Sequence, residues 1–185
     1  MKFGRDLPGF PELDATDLAI LELLQQNCKQ PLAVIGEKVG LSAPSVVERI
    51  HKLEEAGVIT DYVALLDARL LGKDITAFIG VSTAHPRAIA AIERQIAAIE
   101  PVLECHHVTG VHTLLLKLKA ENTEALERLI DRIRSIEDVT RTETMVVLST
   151  HVERVRVPLE SSEPPPEERA PRRAGAGRGR GGRAR

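Results

Sequence analysis

The stretch Val39-Gly40-Leu41-Ser42 constrains this chain more than any other, because it joins two short helical patterns through a turn few residue types permit. Leu32, Ile35 and Val39 recur at helical spacing after Pro31, a residue suited to opening a helix. Gly40 fits the left-handed conformation that ends such a helix. Ser42 is a good N-cap for the next one, and Pro44 is tolerated in its first turn. Val46, Val47, Ile50 and Leu53 are predicted to point inward, with Gly57 ending the helix. Upstream, Asp14 is placed to cap a first helix, Asp17 adds charge that its dipole favours, and Leu18, Ile20, Leu21 and Leu24 form its apolar stripe. Three helices, the last two joined by a tight glycine turn, make a helix-turn-helix arrangement. Val58-Ile59 and residues 63–66 read as short strands leading out of it, the makings of a wing.

Beyond Leu71-Gly72 the apolar period changes. Residues 75–83 alternate as a strand, and residues 86–99 carry Ile89, Ile92, Ile96 and Ile99 on one helical stripe. Residues 102–109 and 113–119 are predicted strands separated by a turn at Gly110. Asn122 or Thr123 caps a helix with Leu126, Leu129, Ile130 and Ile133 inside, and residues 139–148 form the last strand. The order β-α-β-β-α-β specifies a ferredoxin-like sandwich, with both helices on one face of an antiparallel sheet. Its bare face is left for solvent or for another protein. The fold class is therefore α+β: an N-terminal winged helix-turn-helix (residues 12–66), a connector (67–73) and a ferredoxin-like domain (74–155). Residues 1–11 read as a flexible N-terminus. Residues 160–185 read as a disordered tail, because Pro164-Pro165-Pro166 and an Arg/Gly run offer no aliphatic side chain larger than alanine to offset ordering entropy.

Aromatic residues make up 2% of the chain and Trp is absent, so aliphatic side chains must build both cores. The same scarcity excludes a stacking platform for single-stranded nucleic acid. A formal net charge of −2 rules out a generally basic coat but leaves room for a local basic face. Cys28 and Cys105 are too few for a disulfide scaffold and read as reduced thiols of a cytoplasmic protein. No apolar run approaches the ~18 residues of a membrane span, and residues 1–11 lack the apolar core of a signal peptide. No P-loop, dinucleotide fingerprint or nucleophile elbow occurs, so an enzyme is not expected.

With both halves placed, the chain resembles the Lrp/AsnC, or feast/famine, family of bacterial and archaeal regulators. The match runs through Leu13-Asp14-x-x-Asp17-x-x-Ile20-Leu21, Val39-Gly40-Leu41-Ser42 and Glu48-Arg49-Ile50-x-x-Leu53-Glu54-x-x-Gly57-Val58-Ile59. It continues with Glu104-Cys105-His106-x-Val108-Thr109-Gly110 and Thr142-x-Thr144-x-Val146-Val147-Leu148, covering roughly residues 12 to 155. The resemblance implies a homodimer built through the sheet faces, assembling further into tetramers or octamers. It also implies small effectors, usually amino acids, bound in clefts between the second domains. The family's effector loop reads Gly-Asp-aromatic-Asp, whereas here it is Gly110-Val111-His112-Thr113. Both acids are gone, and an amino-acid ammonium group wants carboxylates or several acceptors nearby, which argues against a standard amino-acid effector. Thr142 and Thr144 remain where the family's pocket has its hydroxyls.

Ser45, Arg49 and Lys52 share a face of the third helix and are the candidate contacts to double-stranded DNA. Arg can read guanine with two hydrogen bonds, while Ser and Lys can hold phosphate. Ser42 at the helix N-terminus and His51 could meet the phosphate backbone. A solvated helix surface is the plainer reading, and Glu48 beside Arg49 offers a local ion pair that fits it. Cys105, His106, His107 and His112 do not suggest a metal centre, because strand alternation points Cys105 and His107 one way and His106 the other. No cofactor is expected. Runner-up readings are a nucleoid-organising protein that wraps DNA with little sequence preference, aided by the Arg/Gly tail, and a metabolite-sensing regulatory subunit.

Overall fold

The computed structural model describes residues 11–159, so the expectations for the N-terminus to residue 10 and for the 160–185 tail lie outside it. The chain divides into two compact units. One takes in the chain up to Tyr62 together with the stretch from Val155, and the other is Val63–Arg154.

In the first unit, α1 (Ala15–Gln26), α2 (Leu32–Val39) and α3 (Ala43–Glu55) follow the predicted pattern. Asp14 accepts from the Asp17 amide at 2.8 Å, and Asp17 accepts from the Asp14 amide at 3.1 Å, a reciprocal capping box. One fully buried side chain from each helix, Ile20, Ile35 and Val46, makes the centre, with Leu23, Leu24, Val39, Leu41 and Ile50 packed around it. Gly40 adopts φ 72°, and the amides of Gly40 and Leu41 both return to the Gly36 carbonyl. A Cβ at Gly36 would strike the Leu41 carbonyl oxygen, so the tight turn needs glycine inside α2 as well as after it.

Val58-Ile59 and residues 63–66 do not form strands. The amides of Val58 and Ile59 instead bond the Leu53 carbonyl at 2.9 and 3.2 Å, closing the C-terminus of α3 around Gly57. Val63, Leu65 and Leu66 are exposed, with no neighbouring strand among the described residues to complete a ladder. The described residues therefore hold no wing. Val47, expected inside, is exposed. It lies on the helix surface with Pro44, Glu48 and His51, about a quarter-turn away from the buried line through Val46, Ile50 and Leu53. The extended stretch from Val155 returns to α1, where Gln25 donates to the Val157 carbonyl at 3.0 Å and accepts from its amide at 2.7 Å.

The second unit is a four-stranded antiparallel sheet in the order β2-β3-β1-β4, built from β1 (Ile75–Thr83), β2 (Val102–His107), β3 (Leu114–Ala120) and β4 (Val139–Val146). The helices α4 (Ile89–Ala97) and α5 (Thr123–Arg134) connect them in β-α-β-β-α-β order. The sequence reading of this half holds, with ends moved by one to two residues and a 3-10 turn at Pro86–Ala88 leading into α4. Ala77, Ile79 and Val81 of β1 and Leu114, Leu116 and Leu118 of β3 alternate into a core closed by Ile92, Ile96, Ile99, Leu126 and Ile133. The opposite face carries Phe78, Leu115 and Met145 among charged residues, and no helix of the described residues covers it. There Lys117 bridges Glu104 at 3.1 Å and Glu153; His106 and then Lys117 hold the Glu104 carboxyl below its ordinary range, and Lys117 does the same for Glu153.

Candidate nucleic-acid interface and effector region

The outward face of α3 follows from what its inward face must do. Val46 and Leu53 are buried, so the solvent receives Pro44, Val47, Glu48, His51, Lys52 and Glu55, spaced alternately three and one apart. His51 and Lys52 thus lie on this face. Ser42 caps the helix: its hydroxyl accepts from the Ser45 amide at 3.3 Å and lies 2.8 Å from the Ser45 hydroxyl.

Arg49 turns elsewhere. Its guanidinium donates to Asp14 and Asp17, both at 2.7 Å, tying the middle of α3 to the capping box of α1. The Asp17 amide and then Arg49 hold the Asp14 carboxyl below its ordinary range, and the two aspartates push the guanidinium up in turn. Both bonds leave Nη1, so the carboxylates orient the guanidinium toward α1 while Nε and Nη2 make no hydrogen bond among the described residues. Lys52 pairs with Glu48 at 2.9 Å one turn back, and this lowers the Glu48 carboxyl. His51 sits 3.3 Å from Glu55 and 3.8 Å from Glu54. In all, α3 carries three carboxylates against two fixed cations.

The effector candidates divide between the two faces of the sheet. His112 folds over Gly80 on the bare face, where a Cβ at position 80 would collide with its ring. Its Nε2 is 3.6 Å from Glu143, while its buried Nδ1 has no hydrogen-bond partner. Thr113 follows, with its hydroxyl 3.5 Å from that of Thr83. Gly110 takes φ 122° to make the turn, and Val111 is exposed. Thr142 and Thr144 lie opposite Val81 and Ile79 of β1, so their side chains share the helix-covered face at the sheet edge. A single subunit does not bring the loop and the two threonines into one pocket. Among the strand candidates, Cys105 and His107 sit across from Leu116 and Leu114, while His106 lies opposite Leu115 and pairs with Glu104 at 3.1 Å. The described residues hold no group of three or more metal-ligating side chains.

Two family models match in the order of the units: the AsnC-type helix-turn-helix domain over residues 13–54 and the Lrp/AsnC ligand binding domain over residues 76–157. The HTH-type transcriptional regulator FL11 of Pyrococcus horikoshii is 35% identical over 147 residues, covering 80% of this chain and 97% of the relative. The chain belongs to the Lrp/AsnC family of transcriptional regulators. The Escherichia coli regulatory protein AsnC is 29% identical over 151 residues, covering 79% of this chain and 97% of its own. Among solved structures, an L-Met complex of a Neisseria meningitidis transcriptional regulator superposes with a TM-score of 0.76 at 28% identity, covering 80% of this chain and 97% of that one.

Within this Lrp/AsnC chain, three positions that shape these regions escape a reading of periodicity. Gly36 looks like a helix flaw but sets the turn. Gly80 looks like a strand flaw but seats His112. Both Val46 and Val47 fit an inward reading by spacing, yet only Val46 is covered, because the narrow core leaves its neighbour 47% exposed.

Proposed function

We propose that the protein binds duplex DNA in the cytoplasm as a symmetric homodimer, each subunit presenting the outer face of α3 to a major groove. The observation that carries this reading is the stripe Val47, Glu48, His51 and Lys52, left free of the core while Arg49 pins α3 to α1. Val47 methyls suit a thymine methyl, and the Glu48 carboxylate suits a cytosine amino group. His51 and Lys52 suit phosphate, as do Ser42 and Ser45 at the helix N-terminus. Arg49 acts as a positioning residue. With more carboxylates than cations, α3 attracts phosphate poorly without base contacts, which favours sequence-specific regulation over indiscriminate DNA wrapping.

The bare sheet face, with Phe78, Leu115 and Met145, supplies the self-complementary surface of the dimer, and tetramers or octamers extend it. Reading helices ~34 Å apart would then require a roughly palindromic site. At the effector region, Val111, His112 and Thr113 offer no carboxylate for an amino-acid ammonium, so the residues favour a different small ligand, meeting Thr142 and Thr144 only across a subunit boundary.

Fluorescence anisotropy on operator and random duplexes tests the reading. His51→Ala with Lys52→Ala should weaken operator binding about tenfold and flatten its salt dependence by one to two counterions, on the order expected for lost phosphate contacts. Unchanged affinity overturns the proposed face. Light scattering at micromolar concentration should find no monomer.

A further inference from the structure

The α/β unit carries a concentration of positive charge that neither the DNA reading nor the effector region uses. The connector before β1, the end of β3 and the outer side of α5 enclose a surface pocket of about 260 Å3. Lys73, Lys119, Arg128 and Arg132 line it, against one carboxylate, Glu121. Leu129 contributes an apolar wall.

The carboxylate is already engaged. Lys73 lies 2.7 Å from Glu121, and together with Arg128 it holds that carboxyl below its ordinary range. Lys119 donates to the Thr76 hydroxyl at 3.3 Å and, after Lys117, helps hold the Glu153 carboxyl down, but makes no ion pair of its own among the described residues. Arg128 and Arg132 pair with no carboxylate among the described residues. They stand one turn apart on α5, where like charges weaken a helix. The pocket lining thus holds four cations against one carboxylate, an excess of positive charge in a chain whose formal net charge is −2.

The geometry points to a phosphate-binding site formed by Lys73, Lys119, Arg128 and Arg132. A phosphate dianion uses the surplus charge, and its oxygens match the planar forks of two arginines. A free amino acid does not suit the pocket, because its ammonium group would face four cations with the sole carboxylate taken. The Leu129 wall can take the apolar or ring portion of a small phosphorylated molecule. A DNA backbone phosphate presents the same charged group. The site stands independently of the reading proposed for α3.

Calorimetric titration of the full-length protein with a nucleoside monophosphate and with pyrophosphate tests it, at ionic strength held constant with chloride and with L-methionine as control. Both phosphates should bind and raise the melting midpoint, whereas methionine should give no heat attributable to this pocket. Arg128→Gln with Arg132→Gln, two exposed positions, should weaken phosphate binding at least about tenfold, and Arg128→Lys with Arg132→Lys should restore part of it. In the unmodified protein, hydrogen exchange along α5 should slow when the nucleotide binds. Equal phosphate affinity in wild type and the Gln variant, or unchanged protection on α5, overturns the small-molecule source. If the Gln variant instead flattens the salt dependence of binding to random duplex by about two counterions, the phosphate is that of DNA. No change in either arm removes the site altogether.

Discussion

The two units are held together by different means. The helical unit centres on three fully buried aliphatic side chains and adds polar ties: the Asp14–Asp17 capping box, its ion pairs with Arg49, and the paired hydroxyls of Ser42 and Ser45. The sheet unit has fourteen buried residues in one cluster, all aliphatic, and its polar network lies on the bare face. A small core cannot hold α3 at a fixed angle by packing alone, so directional bonds supplement it. A larger core needs no such help, which leaves its surface cations available for other uses.

The largest expected effect separates the two cores directly. Ile35→Ala and Leu116→Ala each empty a fully buried site and should cost about 3 kcal/mol. The helical unit has less to lose, so Ile35→Ala should unfold it and abolish DNA binding while the sheet unit still melts near its original temperature. Leu116→Ala should lower the sheet unit's transition yet leave a folded helical unit. Scanning calorimetry with circular dichroism reads both. A single transition that moves identically in the two variants would break the comparison.

A smaller effect tests the polar ties. Arg49→Gln should lower the melting midpoint of the helical unit by about 2–5 °C at neutral pH, whereas Lys52→Ala, whose partner is an exposed Glu48, should leave it unmoved. The pH dependence gives the sign. Asp14 titrates below its ordinary 3.8 in the folded chain, so its contribution is present above about pH 4 and is lost as pH falls through the folded value. Arg49→Gln removes part of that depression but keeps the part due to the Asp17 amide. The gap in stability between wild type and variant should therefore narrow on acidification below pH 4. A gap that is constant with pH would show that Arg49 contributes by packing and not by its ion pairs.

Where spacing alone decides an outcome, the sequence is a good guide. The aliphatic periods place eight of the nine α-helices and strands among the described residues to within a residue or two, and the caps at Asp14, Ser42 and Asn122 follow from residue type. What spacing cannot reveal is which partner a charged side chain chooses. Arg49 lies near the edge of the exposed face of α3, and only the position of α1 shows that two aspartates 32 and 35 residues earlier claim it. The pocket around Arg128 was hidden for the same reason, since Lys73 and Lys119 reach it from distant parts of the chain. The short strands after α3 failed on another count: β-rich composition marks a segment able to pair but supplies no partner.

The smallest expected effect concerns Tyr62, the chain's single tyrosine, at the end of the helical unit. Its hydroxyl donates to Glu54 at 2.9 Å. Burial first, and then the Glu54 carboxylate, push its ionisation from 10.0 up to about 12. Because there is no second tyrosine and no tryptophan, the phenolate absorbance reports this one contact. The raised value means that stability from the Tyr62 proton is fully present below pH 10 and is lost as pH climbs toward 12. Spectrophotometric titration should give a midpoint near 12 for the folded chain and near 10 in denaturant. Glu54→Gln should bring the folded midpoint partway down, since burial outlasts the lost charge. A folded midpoint already at 10 would mean that Tyr62 is not held against Glu54. The helical unit would then rely on the Asp14–Asp17–Arg49 cluster and the Ser42–Ser45 pair for its polar ties, without a further one at Tyr62.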